Sequence, residues 1–396
     1  MRVLSVTAQK PCSTGSGVYL TEVVRSLAKM GVSQAVVAGV TREDRVDMPE
    51  GVTVYPVYFA SEKLPYPVVG MSDEMPYTST RYRDMTEEMA GQFKAAFLEV
   101  LDEAIEKENP DIILCHHLYY LTALIRAHYP AKKVYGFCHN TDLRQMESIL
   151  FERNFIRQEI PKLDRIFALQ EAQKEKIKKI YPVSEKQMTV IGTGYNSEVF
   201  KKTGIKSSRK DGKIRMIFAG KITQKKGVKS LLRALKLLDY EKEKIQLILA
   251  GGAGNLVEYE EIKELADGCR YPVVFAGCVT QSRLAELYND CDIFVLPSMY
   301  EGLPLTVIES LACGDRVVMT KLEGIAEWLA DMVPDADIRY VLPPGMKGTD
   351  EPLEEELPAF ESRLAEALRE AIEEKDTKEC DVSRISWKKI AREVIR

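Results

Sequence analysis

Short, nearly continuous apolar runs constrain the fold of this chain more than any other feature. They lie at residues 3–7, 34–40, 112–115, 134–138 and 166–169, then again at 214–219, 245–250, 273–276, 293–297 and 316–319. Runs of this length without polar alternation belong in parallel strands, where crossover helices shield both faces of the sheet. Amphipathic helical patterns separate most of them. The opening reads as a strand, a glycine-containing loop over 12–17, a helix over 18–30 and a second strand, which is a βαβ unit. From 196 to 213 the alternation stops, and Lys201, Lys202, Lys206, Arg209, Lys210 and Lys213 mark a polar stretch with the character of a linker.

The expected fold is therefore α/β, with two doubly wound domains. The first occupies residues 1–195, the linker 196–213 and the second 214–375. A last segment, 376–396, contains Ser386-Trp387-Lys388-Lys389-Ile390, which starts a short helix. A length of 396 residues with 45% apolar content supplies two cores. Two such domains facing across an interdomain cleft bring the carboxyl ends of both sheets to one ligand, where open α/β sheets bind.

A net charge of −5 gives no global reason to bind nucleic acid or an anionic membrane. The eight cysteines are scattered, without the close pairs of a zinc or redox motif, and read as reduced thiols. No signal-peptide core opens the sequence, and the uncharged stretch 112–125 falls short of the roughly 20 residues of a membrane span. A cytoplasmic location with at most peripheral membrane contact is expected.

The strongest local motif is Pro297-Ser298-Met299-Tyr300-Glu301-Gly302-Leu303-Pro304-Leu305-Thr306-Val307-Ile308-Glu309-Ser310-Leu311-Ala312-Cys313-Gly314, read as strand, tight loop and helix. Glu301 falls on the loop. Glu309 shares a helix face with Leu305, Thr306, Ala312 and Cys313, a small and mostly apolar surface. A carboxylate there needs hydrogen-bond donors, which the vicinal hydroxyls of a ribose supply; in isolation an exposed helix glutamate is the blander alternative. Gly302 permits close backbone approach, and the start of the following helix attracts negative charge. A second constellation, Phe218-Ala219-Gly220-Lys221-Ile222-Thr223-Gln224-Lys225-Lys226-Gly227, sits where a strand yields to a helix. Lys221 and Lys226 can neutralise a diphosphate there, or stand as a solvated lysine run.

The Glu301 and Glu309 pair, the lysine loop and the two-domain layout together resemble the retaining glycosyltransferases of family 4, the "group 1" type with the GT-B fold. The resemblance covers essentially the whole chain and extends to Gly15-Ser16-Gly17, Cys138-His139-Asn140, Gly194-Tyr195-Asn196-Ser197-Glu198-Val199-Phe200, Gly251-Gly252-Ala253-Gly254 and Ser386-Trp387. It implies a nucleotide diphosphate sugar as donor substrate, a UDP-sugar favoured over a GDP-sugar, with no cofactor or metal required. Glu309 is then on the ribose and Glu301 on sugar hydroxyls, with Lys221 and Lys226 on the diphosphate. Gly302, Leu303 and Pro304 meet the sugar through their backbone, Gly17 approaches the phosphates and His139 contacts the sugar near the reacting centre. The C-terminal helix is expected to return to the first domain. The acceptor stays open: a small metabolite, a lipid-linked sugar or a glycan. So does the oligomeric state. Alternatives are a GT-B nucleotide-sugar epimerase and a catalytically silent nucleotide-sugar-binding protein. Departures from the pattern are Lys221 in place of a common arginine, Gly192-Thr193-Gly194 in place of Pro-Asn-Gly, and Asp315 where proline is usual.

Other features carry less. Leu20 replaces the third glycine of a dinucleotide fingerprint begun by Gly15 and Gly17, despite Glu43 and Asp44 after the second strand. Asp290-Cys291-Asp292 and Asp335-Ala336-Asp337 have metal-transferase spacing but read as structural. His116 and His117, as adjacent strand residues, are expected on opposite faces and so not on one ion. Residues 64–85 read as a long loop, either an acceptor element or an ordinary exposed excursion.

Overall fold

The computed structural model describes residues 1–11, 13–73, 75–253, 255–348, 351–374 and 380–396. Cys12 and Gly254, both within motifs quoted above, and residues 375–379 at the expected edge of the second domain lie outside the described residues. The chain divides into two compact units, Met1–Gly194 with Trp387–Arg396, and Tyr195–Ser386.

The first unit is built on a seven-stranded sheet. Its strands are β1 (Arg2–Thr7), β2 (Ser33–Val40), β3 (Thr53–Tyr58), β4 (Ile112–His116), β5 (Val134–Phe137), β6 (Arg165–Ala168) and β7 (Met188–Val190), in the order β3-β2-β1-β4-β5-β6-β7. Every neighbouring pair is parallel. Val36, Val37, Ile113 and Leu114 are fully buried, as a sheet covered on both faces requires. The helix after β1 starts at Gly15, earlier than the apolar pattern suggests, because the Thr14 hydroxyl accepts the Gly17 N–H at 3.1 Å and caps it. First-turn amides have no partner within their own helix, so glycine weakens that turn little.

Among the described residues of 64–85, part of the stretch is packed and part is exposed. Val69–Gly70 pairs with Thr80–Arg81, and Leu64, Val68 and Tyr82 are buried. The Tyr82 ring meets Tyr119 edge-on at 4.8 Å, and the Tyr66 hydroxyl donates to the Met89 carbonyl at 2.8 Å. Aromatic burial stabilises this excursion where regular structure does not. The helix Trp387–Val394 completes the unit. Trp387 stands edge-on to Tyr19 at 4.9 Å, and a Cβ at Gly194 would lie 2.5 Å from Trp387. Arg165 donates to the Glu393 carbonyl at 3.0 Å and pairs with its carboxylate.

The second unit carries a six-stranded parallel sheet of β8 (Ile214–Ala219), β9 (Ile245–Ala250), β10 (Val273–Gly277), β11 (Ile293–Leu296), β12 (Arg316–Thr320) and β13 (Ile338–Val341), ordered β10-β9-β8-β11-β12-β13. The basic stretch that the sequence presents as a linker is folded onto this unit. Lys206 pairs with Asp315 at 2.5 Å, Arg209 with Asp292, and Thr203 N–H donates to Asn289 Oδ1 at 2.8 Å. Its acidic partners lie far along the chain, at the amino edges of β11 and β12, so local sequence presents only unpaired charge.

Candidate active site

In the second unit the strand order reverses between β8 and β11, and ligands of open α/β sheets bind at the carboxyl ends beside such a reversal. The loops that leave these two strands are joined closely. Met299 N–H donates to the Lys225 carbonyl at 2.9 Å, and Gly227, at φ 74°, passes so near β11 that a Cβ would lie 2.0 Å from the Pro297 oxygen. Only glycine tolerates both that conformation and that approach. Gly251 is equally constrained, since a Cβ there would lie 1.7 Å from the Gly220 oxygen.

This junction brings Lys226 Nζ to 2.6 Å from Glu301 Oε1, with the Tyr300 carbonyl at 3.5 Å. Thr223 caps the short turn Gln224–Lys226 by accepting the Lys226 N–H, and Glu258 accepts the Gln224 N–H at 2.6 Å. Lys221 lies half-buried in the same loop. Behind Glu301, Gly302 is half-buried and Leu303 and Pro304 are buried; Pro304 leads into the helix Leu305–Ala312, whose amino terminus has no side-chain cap. Glu309 is 6% exposed within that helix, so it is not the solvated glutamate that helix position alone allows. Sequence reasoning passed over Glu258, whose role depends on a fold neighbour rather than a motif.

In the first unit the order reverses between β1 and β4. Gly17 sits buried in the first helical turn after β1; its N–H is taken by Thr14, so close approach rather than amide donation is what it offers a ligand. His139 follows β5 and is 8% exposed. Its Nε2 lies 3.0 Å from His116 Nδ1, and the two rings are nearly coplanar, at 12°. The expectation that His116 and His117 face apart fails: His117 adopts φ 76°, which ends strand alternation, and its ring centroid lies 4.9 Å from that of His139. Burial holds all three imidazoles neutral by lowering their pKa values, that of His116 to about 3.

Asp142 organises this cluster and was missed from sequence. Fully buried, it accepts the Leu118 N–H at 2.7 Å and the His139 N–H at 3.2 Å, tying the loops after β4 and β5 together. An Asp three residues beyond His139, in the first turn of the helix Thr141–Ser148, is the signal that was available. Of the two pairs with metal-transferase spacing, Asp290 and Asp292 meet Arg215 and Arg209, and Asp337 of the Asp335/Asp337 pair meets Arg339.

Two Rossmann-like parallel sheets, each with its candidate residues at the carboxyl edge beside a reversal of strand order, define an α/β protein of the GT-B class. The family model "Glycosyltransferase Family 4" matches residues 13–199, and "Glycosyl transferases group 1" matches 200–379. The chain belongs to the group 1, family 4 glycosyltransferases.

Among relatives, it is 30% identical to "Uncharacterized glycosyltransferase MJ1607" of Methanocaldococcus jannaschii over 41% of this chain and 44% of that protein. It is 25% identical to "D-inositol 3-phosphate glycosyltransferase 2" of Catenulispora acidiphila over 80% of this chain and 76% of that one. The chain spans less than half the length of the first curated relatives it matches. Among solved structures, a sucrose-phosphate synthase from Thermosynechococcus elongatus superposes with a TM-score of 0.70 at 15% identity, covering 100% of this chain and 97% of that one. Anabaena Alr3699/HepE in complex with UDP and glucose gives 0.63 at 15% identity, covering 100% and 98%. These structural likenesses concern the fold.

Proposed function

We propose that this chain transfers a glycosyl group from a nucleotide diphosphate sugar, a UDP-sugar in preference to a GDP-sugar, to an acceptor hydroxyl with retention of anomeric configuration. The observation that carries the reading is the junction of the β8 and β11 loops, where Lys226 and Glu301 meet at 2.6 Å, followed along the chain by the helix that holds the buried Glu309. In this reading Glu309 accepts from the ribose hydroxyls, Glu301 from hydroxyls of the transferred sugar, and Lys221 and Lys226 neutralise the departing diphosphate. Each such preorganised contact contributes roughly 3–4 kcal/mol to the transition state. The backbone of Gly302, Leu303 and Pro304 and the uncapped helix behind it favour an anionic donor. From the first unit, Gly17 approaches the phosphates and neutral His139 contacts the sugar.

The bond from the anomeric carbon to the diphosphate breaks as the acceptor oxygen bonds on the same face, and the departing phosphate oxygen takes the acceptor proton. No cofactor or metal is required in this reading. Support for the donor class comes from the family and from the UDP and glucose held by the Anabaena relative. Relatives named for D-inositol 3-phosphate and for a diphospho-undecaprenol-linked sugar leave the acceptor as a small metabolite, a lipid-linked sugar or a glycan. No helix among the described residues is long and apolar enough to cross a membrane.

Thermal-shift titration with UDP, GDP, ADP and their sugars, run beside Glu309→Ala, tests the donor site. UDP compounds should protect the wild type and lose that effect in the variant, whereas protection by NAD(H) alone refutes the reading. Proton NMR of the product should show the donor's anomeric configuration. Conversion of the donor sugar without any acceptor would instead identify an epimerase.

A further inference from the structure

We propose that His116 is a positioning residue which locks His139 into the tautomer protonated on Nδ1, so that His139 presents an N–H to its ligand rather than a lone pair. The consequence for catalysis rests on the reading above, in which His139 contacts the donor sugar; the tautomer itself does not.

The geometry leaves two arrangements of one proton. His116 Nδ1 and His139 Nε2 are 3.0 Å apart and both buried, so one donates and the other accepts. Both rings are neutral, since burial lowers both pKa values. If His139 donated from Nε2, neutral His116 would carry its proton on its own Nε2, an atom that is buried without a partner. That arrangement buries an orphaned N–H. If His116 donates from Nδ1, only a bare lone pair is left at its Nε2. Orphaned buried donors are rarer than under-satisfied acceptors, which selects the second arrangement. His139 then accepts at Nε2 and carries its proton on Nδ1.

His116 is well placed to impose this choice. It ends β4 in register with Phe137 of β5, and its ring stacks on Phe137 at 4.8 Å and 18°. Tyr19 stands edge-on to the His139 ring at 5.2 Å, and its hydroxyl is anchored on the Gly192 carbonyl at 3.0 Å. The His139 backbone is held by Asp142. The ring is thus fixed from three sides, and the hydrogen bond to His116 decides which nitrogen bears the proton. A neutral N–H at this position stabilises oxygen lone pairs of a sugar without placing a full positive charge beside an electron-poor anomeric carbon.

The chain has only four histidines, so selective 15N-histidine labelling resolves each ring by NMR. Wild-type His139 should show protonated Nδ1 and unprotonated Nε2 between pH 6 and 8; the reverse pattern overturns the proposal without any variant. His116→Phe keeps the flat ring on Phe137 but removes the donor, and should convert the His139 signals to a tautomer mixture. His116→Asn, whose amide N–H can replace Nδ1–H, should keep the wild-type pattern. An unchanged His139 spectrum in His116→Phe also overturns the proposal. In the transfer assay His116→Phe should lower kcat roughly tenfold, as loss of one oriented hydrogen bond does, with donor KM changed far less and His116→Asn restoring most of the rate. A tautomer change with unaltered kcat would uphold the role of His116 and remove His139 from the sugar site.

Discussion

Glu301 and Lys226 neutralise each other across 2.6 Å while both remain partly accessible, so each is available to a ligand that replaces its partner. Exposed or half-exposed ion pairs contribute about 0–1 kcal/mol to stability, which leaves catalysis as the property most sensitive to them. Glu301→Gln and Lys226→Ala should each lower kcat by roughly 10²–10³ with little change in unfolding midpoint, and the double variant should lose little more than either single one. Strict additivity in those kinetics would mean that the two act independently. Gly227 is different in kind, because its constraint is steric. Gly227→Ala places a methyl 2.0 Å from the Pro297 oxygen at φ 74° and should cost about 2–4 kcal/mol in urea unfolding. An unaltered urea midpoint would show that this junction yields readily.

Among elements, strands were far more legible than their edges. Every apolar run anticipated from sequence is a strand, and the strands of the two large sheets that lack such a run, β3, β7 and β13, all lie at sheet edges. An edge strand needs neither a continuous apolar run nor every backbone N–H, which is why β3 carries Pro56 and reads from sequence as irregular. The helix Trp387–Val394 is an element whose partners are remote in sequence. Trp387→Ala removes an aromatic packed on Tyr19 and Gly194 and should destabilise the first unit by about 3–5 kcal/mol. The second unit has its own tryptophan, Trp328, whose fluorescence transition should stay in place in this variant. A shift of the Trp328 transition in this variant would show that the units unfold together.

For the whole molecule, buried titratable groups give the two units opposite responses to pH. In the first, His116, His117 and His139 have folded pKa values below the ordinary 6.5, so the unfolded chain takes up protons first as pH falls. Stability from this source is complete above about 6.5 and declines as pH drops towards 3. In the second unit, burial raises Asp315 from 3.8 to about 7 despite the attraction of Lys206. Its protonated form is favoured by folding, so that contribution is complete below about 4 and is lost as pH rises through 7, by at most about 1.4 kcal/mol for each step of one in pH. Urea melts followed through Trp387 in a Trp328→Phe background, and through Trp328 in Trp387→Phe, should therefore move in opposite directions between pH 5 and 7.5. Asp315→Asn should flatten the second trend alone; an unchanged slope would show that Asp315 stays ionised.

The paired glutamates, the lysine loop and the glycine turns were legible because strand, loop and helix are local in the chain and each carries its own residue pattern. Sequence by itself therefore determined the α/β class and the two parallel sheets. Tertiary structure alone decided that Lys226 meets Glu301 75 positions away, since β8 and β11 are neighbours only after the chain has crossed through β9 and β10. It likewise decided that Asp142 and His116 hold His139, and that the basic stretch after Tyr195 finds its carboxylates on strands yet to be made. Pairing between remote loops depends on strand order, and a parallel sheet writes its order into the crossovers, which residue pattern does not encode.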